Sequence, residues 1–453
     1  MAFDDLLRQL VQGGEDARIE AAEALADVGD RKAVGALVQA LRDPSAGVRT
    51  AACESLGRLA DARAVPPLVS FLRDPDEDVR GEAFSALLRI GQARASSLPD
   101  YRGEDPRSPS LALTQIVWPA DLEAVKLLYE SLNDSDPEVR MGCAYALGRM
   151  GVAGAFDAVH RLLHGDEDAE VRCAAAFALG DLALAGELRA APALVAAWPR
   201  TIEDDELAVV VIRALAEVGS RDAVPVLLAA ATHPDARVRQ LAVMGLAHAP
   251  AGRVGDERGE RRSGAEAEAG ATSALIARLD DPDVGVRRNA AFALGRRGDT
   301  AAINALIGAV PHSDAEVRSA VGEALKHLDK AAVQSAVMRA FSNQNHELRQ
   351  AAAYLQGQLR QSAGLVDALA DPEVEVRKTA ALALGECGDR RLRSALERAL
   401  TDAHWRVRVA AAEGLRRLAD PAAVAALRPL TSDPHPVVQN AAAVALRALE
   451  TRG

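Results

Sequence analysis

The sequence predicts an all-α fold, a right-handed α–α superhelical solenoid of about thirteen stacked helix pairs. Three observations predict it. The stretch 281–299, DPDVGVRRNAAFALGRRGD, returns with small changes at 371–389, 74–91 and 43–59. Its anchor arginine recurs at Arg49, Arg80, Arg140, Arg172, Arg239, Arg287, Arg318, Arg349, Arg377 and Arg408, with a weaker copy at Arg18, a degenerate one at Ala208 and a last one at Gln439, in steps that are mostly 31 or 32 residues. A period of that size marks a stack in which each unit buries its apolar face only against its neighbours. Third, apolar residues make up 49% of the 453 but aromatics only 3%, so the core is Ala, Leu and Val, which suits closely packed helices.

Each repeat reads as two helices. The first is typified by Ala64 to Arg73, with Val65, Leu68, Phe71 and Leu72 at helical spacing. A turn follows, and an Asp-Pro pair such as Asp74-Pro75 is expected to open the second helix, Asp as N-cap and Pro at the first helical position. A Gly such as Gly91, Gly298 or Gly388 is expected to end it. With the anchor Val at zero, positions +4, +7, +8 and +11 share about 100° of the helix and form the expected buried stripe; in the copy at Val286 these are Ala290, Ala293, Leu294 and Arg297. Positions +2, +6 and +9 fall opposite and are expected to be exposed. The anchor Arg at +1 lies at the boundary, placed to pair with an Asp of a neighbouring inter-helix turn, repeated as a ladder.

The turn Asp, the Val-Arg pair and the run NAAFALG at 289–295 resemble a HEAT repeat, in the short form found in the phycobilin lyase family of HEAT-like repeats. The resemblance covers nearly the whole chain. It implies that the second helices line a concave surface, so that the +6 column faces into a groove.

In chain order, the first repeat begins at Phe3, with Leu6, Leu7 and Leu10 in its first helix and a second helix near Asp16 to Val28. Repeats 2 and 3 run to Gly91. The step of 60 that follows leaves 92–119 as an insertion, polar and Pro-rich at first, then apolar around Ile116, Val117 and Trp118: either the wreck of a repeat or a flap. Repeats 4 and 5 reach Leu184. The sixth is degenerate, interrupted by Trp198-Pro199, with Glu203 to Glu206 in place of the usual turn. The step of 48 after the seventh leaves 250–270, Gly-rich and charged, as a mobile loop. Repeats 8 to 13 continue to Leu449. The step of 28 at Leu365 is expected to shorten the turn between helices. The chain is expected to form a single solenoid from 1 to 453.

A net charge of −12 and pI near 5.4 argue against general binding to nucleic acid or an anionic membrane. There is no uninterrupted apolar run of membrane length, and the start MAFDDLLRQL has neither the basic nor the apolar region of a secretory signal, so a cytoplasmic protein is expected. Cys53, Cys143, Cys173 and Cys387 form no C-x-x-C pair and read as reduced packing residues. His160 and His164 stand at i, i+4, with Asp166 and Asp168 following; that spacing can hold a metal, but two surface histidines is the plainer reading. No P-loop, dinucleotide-binding glycine pattern or G-x-S-x-G is present, so no catalytic, cofactor or metal site is expected.

The informative feature is the +6 column: Glu54, Ser85, Tyr145, Phe177, Met244, Phe292, Glu323, Tyr354, Leu382 and Glu413. Gln240, Arg288 and Gln350 edge its middle at +2, and Arg149, Asp181, His248 and Arg296 at +10. An apolar strip edged by Arg and Gln is what a groove for a peptide or helix looks like. The competing reading is that curvature buries the column between adjacent second helices. The candidate groove residues are Tyr145, Phe177, Met244, Phe292, Tyr354, Arg149, Gln240, Arg288, Arg296 and Gln350. If they are exposed, Phe177→Ala and Phe292→Ala should each change stability by no more than about 0.5 kcal/mol. The expected function is a non-catalytic scaffold or adaptor that holds a protein or peptide in its concave groove. The resemblance implies an alternative, a chaperone-like bilin lyase or another tetrapyrrole-handling protein.

Overall fold

The computed structural model describes residues 2–95, 121–201, 204–248 and 270–450, and every regular element among them is helical. The expected insertion at 92–119 and loop at 250–270 lie outside the described residues, except that 92–95 continue a helix and 270 belongs to one. Contacts divide the chain into two compact units, Met1–Ala230 and Ala231–Gly453, each of them a stack of helix pairs.

In the first unit the pairs are Phe3–Gln12 with Glu15–Val28, Val34–Ala40 with Ala46–Leu59, Val65–Phe71 with Glu77–Ala95, Asp121–Ser131 with Pro137–Arg149, Phe156–Gly165 with Ala169–Leu184, and Ala190–Ala197 with Asp205–Val218; Val224–Ala230 follows. In the second unit, Ala236–His248 is followed by the second helices Val284–Arg297, Ala315–Lys326, His346–Gln358, Val374–Cys387, Trp405–Leu418 and Pro436–Glu450, each with a shorter helix before it. The sixth repeat, degenerate in sequence, folds as a regular pair: Asp204 caps its second helix through the Leu207 N–H and meets Arg172 at 3.3 Å.

The buried stripe is where the spacing puts it. Val48, Ala52, Ser55, Leu56 and Leu59 are buried, as are Val286, Ala290, Ala293 and Leu294. The stripe is wider than a single wheel suggests, and position +9 corrects the expectation of exposure. It is often Gly, and Gly57, Gly148 and Gly295 are buried. A Cβ on Gly148 would lie 2.5 Å from the Cα of Ala178, and one on Gly295 would lie 2.6 Å from the Cα of Ala324. The reason is the number of neighbours. A second helix packs on its own first helix and on the second helices before and after it, so three of its faces are covered. At Gly148 and Gly295 a side chain would hold the next helix away, whereas Lys326 and Arg447, at the same position in later repeats, are exposed as expected.

The turn also differs from expectation. In Asp43-Pro44, Asp74-Pro75, Asp281-Pro282 and Asp371-Pro372 the Asp does not cap the second helix, although Asp136 before Pro137 does. Ser45, Asp76, Asp283 and Glu373, two residues later, stand at or beside that position. The earlier Asp is taken by an arginine. Arg49 donates from Nε and Nη2 to Asp74 at 2.8 and 2.7 Å, while its Nη1 donates to the carbonyls of Asp43 and Pro44 in its own turn. Arg140–Asp166, Arg239–Asp281, Arg349–Asp371, Arg377–Asp402 and Arg408–Asp433 repeat the fork at 2.7–3.1 Å. The planar guanidinium matches a carboxylate with two parallel bonds, which a lysine cannot do. Burial pushes Asp166, Asp371 and Asp402 up, but the arginine and a turn N–H together hold each below the usual carboxylate range; Arg408 lowers Asp433 against a smaller push from burial.

Gly298 and Gly388 end their helices in the left-handed region, both at φ +71°. Gly91 does not, because its helix runs on to Ala95. The step of 28 takes its missing residues from the first helix rather than the turn: Leu365–Ala368 is only four residues long.

Candidate functional site

The +6 column is half-buried in both units, and among the candidate aromatic side chains only Phe292 is exposed, at 44%. In the first unit the close approach at +9 brings the rings into contact. Tyr145 lies 5.7 Å from Phe177 and 5.8 Å from Phe84, centroid to centroid. Arg213, at the same register in the sixth repeat, lies 5.6 Å over the Phe177 ring. The result is a continuous row, Phe84–Tyr145–Phe177–Arg213, with tilted rings as their quadrupoles favour and a guanidinium on one end face.

Asp181 lies one turn on from Phe177, and its side chain is 22% exposed. Burial pushes its carboxyl up to about 6, with Arg149 pulling the other way from 3.4 Å. Burial also raises the Tyr145 hydroxyl. Arg149 itself is exposed. The structure brings Tyr145, Phe177 and Arg149 together, with the two rings half-buried and the guanidinium exposed. It adds Phe84 and Arg213, which the column count passed over: Phe84 stands at +5, and Arg213 belongs to the repeat whose anchor is lost.

In the second unit the column residues stand apart. Phe292 carries Arg296 over its ring at 5.9 Å, and the exposed Glu323, bonded by Lys326 at 2.6 Å, separates it along the column from Tyr354. Met244 and Tyr354 are half-buried. The +2 side chains reach the next repeat. Gln240 donates to Asp283 Oδ1 at 2.9 Å, Arg288 meets Glu316 at 3.3 Å, and Gln350 donates to Thr379 Oγ1 at 3.3 Å. Gln240 and Gln350 are therefore partly spent on holding repeats together, whereas Arg288 is exposed along with its partner. Arg318 lies 5.9 Å from the Tyr354 ring.

The four cysteines are free thiols, and burial pushes Cys53 and Cys143 up to about 12 and Cys173 and Cys387 up to about 11, so they stay protonated near neutral pH. His160 and His164 meet through their Nε2 atoms at 3.0 Å, and Arg200 lies 3.0 Å from His164 Nδ1. A guanidinium only donates, so Nδ1 of His164 accepts and Nε2 carries its proton toward His160. Burial first, then His160 and Arg200, hold His164 below its usual range. Asp166 is committed to Arg140. Among the described residues no three metal-ligating side chains gather, and no helix is long and apolar enough to cross a membrane.

The family model for HEAT repeats matches residues 3–97, 102–180, 124–204, 200–259, 272–356 and 362–447. No curated protein matches the sequence. Among solved structures, a chain from the structure of Kap95p with RanGDP superposes with a TM-score of 0.51 at 13% identity, over 99% of this chain and 61% of that one. An engineered protein aligns over 99% of both chains at 22% identity with a TM-score of 0.35. The complex of CpcE and CpcF of phycocyanin lyase from Nostoc sp. PCC7120 aligns at 21% identity and a TM-score of 0.31, over 60% of this chain and 95% of that one.

Proposed function

The chain belongs to the HEAT-repeat family, and on that premise we propose that it is a non-catalytic scaffold that binds another protein along its second-helix face. The observation that carries this reading is Phe292, a large aromatic side chain 44% exposed, with Arg288 and Arg296 beside it. An exposed aromatic next to arginine is the composition of a binding hot spot, because both pack large surface against a partner while keeping a polar handle. Leaving such a ring in water gains the isolated fold almost nothing. The test is capture of partners from the native cell by the full chain and by Phe292→Ala, with the unfolding midpoint measured in parallel. Loss of a captured protein at unchanged stability supports the scaffold. The contrary result is a visible absorbance shift on adding bilin with no protein captured, which would replace the scaffold with the tetrapyrrole-handling alternative.

A further inference from the structure

We propose that repeats 8 to 10 of the second unit bind an acidic segment of a partner protein, with Phe292 taking an apolar side chain and Arg318 a carboxylate. The proposal rests on the scaffold reading and specifies the chemistry of its partner.

The arginine ladder has one fault. Every anchor arginine from Arg18 to Arg408 meets a carboxylate within 4 Å, except Arg318. The sequence explains the exception. The position that Asp43, Asp74 or Asp281 fills is Asn343 in the tenth repeat, and the cap two residues later is Asn345. Both are neutral. In the ninth repeat the same position is His312, but there Asp314 takes Arg287 instead. Arg318 keeps the bond to its own turn, donating to Ser313 O at 2.5 Å, and rests against Tyr354. Among the described residues it has no carboxylate. A half-buried guanidinium that has shed part of its hydration favours an anionic partner more strongly than a fully solvated one does.

The surroundings agree in sign. Arg296 over Phe292 likewise meets no carboxylate among the described residues, and Glu323 between the two positions is neutralised by Lys326. A face with this local excess of positive charge, in a chain of net charge −12, attracts acidic side chains. Two repeat layers at about 8–10 Å each separate Phe292 from Tyr354, and an extended segment covers that span in about six residues.

The experiment is selection of a random 16-residue peptide display library on the full chain, followed by binding measurements on the best synthetic peptide. Enriched peptides are expected to carry an aromatic or large aliphatic residue and an Asp or Glu about six positions apart. Affinity for the synthetic peptide should fall at least tenfold in Arg318→Gln and in Phe292→Ala, with unchanged helical circular dichroism. Gln already serves at the equivalent position, where Gln439 donates to Asp433 O at 2.7 Å, so Arg318→Gln keeps the bond to its own turn. Arg318→Glu should move the preference from acidic to basic peptides, which loss of a purely structural arginine would not do. Enriched peptides without acidic residues, equal affinity in Arg318→Gln, or tighter binding of a single-stranded oligonucleotide than of any peptide would each overturn this proposal and leave the wider scaffold reading standing. Failure of any peptide to enrich, with no protein captured by the chain, would sink both.

Discussion

In the first unit the aromatic side chains of the +6 column touch; in the second they do not. The helices that carry them follow the same plan, down to the buried glycines at +9, Gly148 in one and Gly295 in the other. The difference lies in the neighbour. Phe84, Tyr145 and Phe177 come from three consecutive repeats, so each ring finds the next at 5.7–5.8 Å and half its surface is covered. In the second unit Glu323 falls between Phe292 and Tyr354, and Phe292 is left in water. Exposure in a stacked protein is therefore a property of two adjacent repeats. A helical wheel drawn for one of them cannot supply it.

The largest expected effect sets the scale for testing this contrast. Leu294→Ala empties a fully buried position on the stripe and should cost about 2–5 kcal/mol by urea unfolding. Next comes Asp181, the carboxyl one turn on from Phe177. Its folded-state value of about 6 lies above that of an unfolded carboxyl, so the folded chain binds the extra proton between about pH 4 and 6 and loses stability as pH rises through that range. Asp181→Asn should remove that slope and raise stability at pH 7 by about 1–3 kcal/mol; a variant with the same pH profile as the parent would show that the carboxyl is not destabilised. Phe177→Ala should cost about 1–2 kcal/mol, since it removes one ring contact and the surface under Arg213. That exceeds the change of no more than about 0.5 kcal/mol expected of an exposed ring, because Phe177 is half-buried. Glu323→Phe should complete a row in the second unit, bury Phe292 and stabilise by about 0.5–1.5 kcal/mol; unchanged Phe292 side-chain chemical shifts would contradict it. Phe292→Ala should move the unfolding midpoint least, by less than about 0.5 kcal/mol. A cost equal to that of Phe177→Ala would erase the distinction between the units.

Much of the fold was legible because its main tie is chemical and periodic. An Arg every 31 residues, facing an Asp in the next turn, states both the repeat and the bond that joins repeats. The C-terminal glycines were legible for a similar reason, since a left-handed residue such as Gly298 leaves few choices. The N-cap was misplaced because Asp43 satisfies either role by type, and only the position of Arg18 beside it decides which it takes. The burial of +9 was missed because glycine has no side chain to betray a contact. Within the site, Tyr145, Phe177 and Phe292 followed from register. Arg213 and Arg318 did not: one sits in a repeat without its anchor, and the other matters for what the next repeat lacks, an Asp at Asn343.

The arginine ladder has a consequence for how such a chain can grow. Each repeat presents a socket, the turn carboxylate, to the repeat before it, and a plug, the guanidinium, to the repeat after it. Arg377 grips the Asp371 and Pro372 carbonyls of its own turn and the carboxylate of Asp402 in the next. A block of whole repeats that opens on a turn Asp and closes on an anchor Arg can be duplicated or excised in the gene, and the broken ends will find matching halves. The spacing itself can vary: Arg140 reaches Asp166 across 26 residues and Arg349 reaches Asp371 across 22, where Arg377 and Asp402 stand 25 apart. The recurring joint is then a rule of splicing as much as of packing, and a neutral socket such as Asn343 is a place where one joint has been left open.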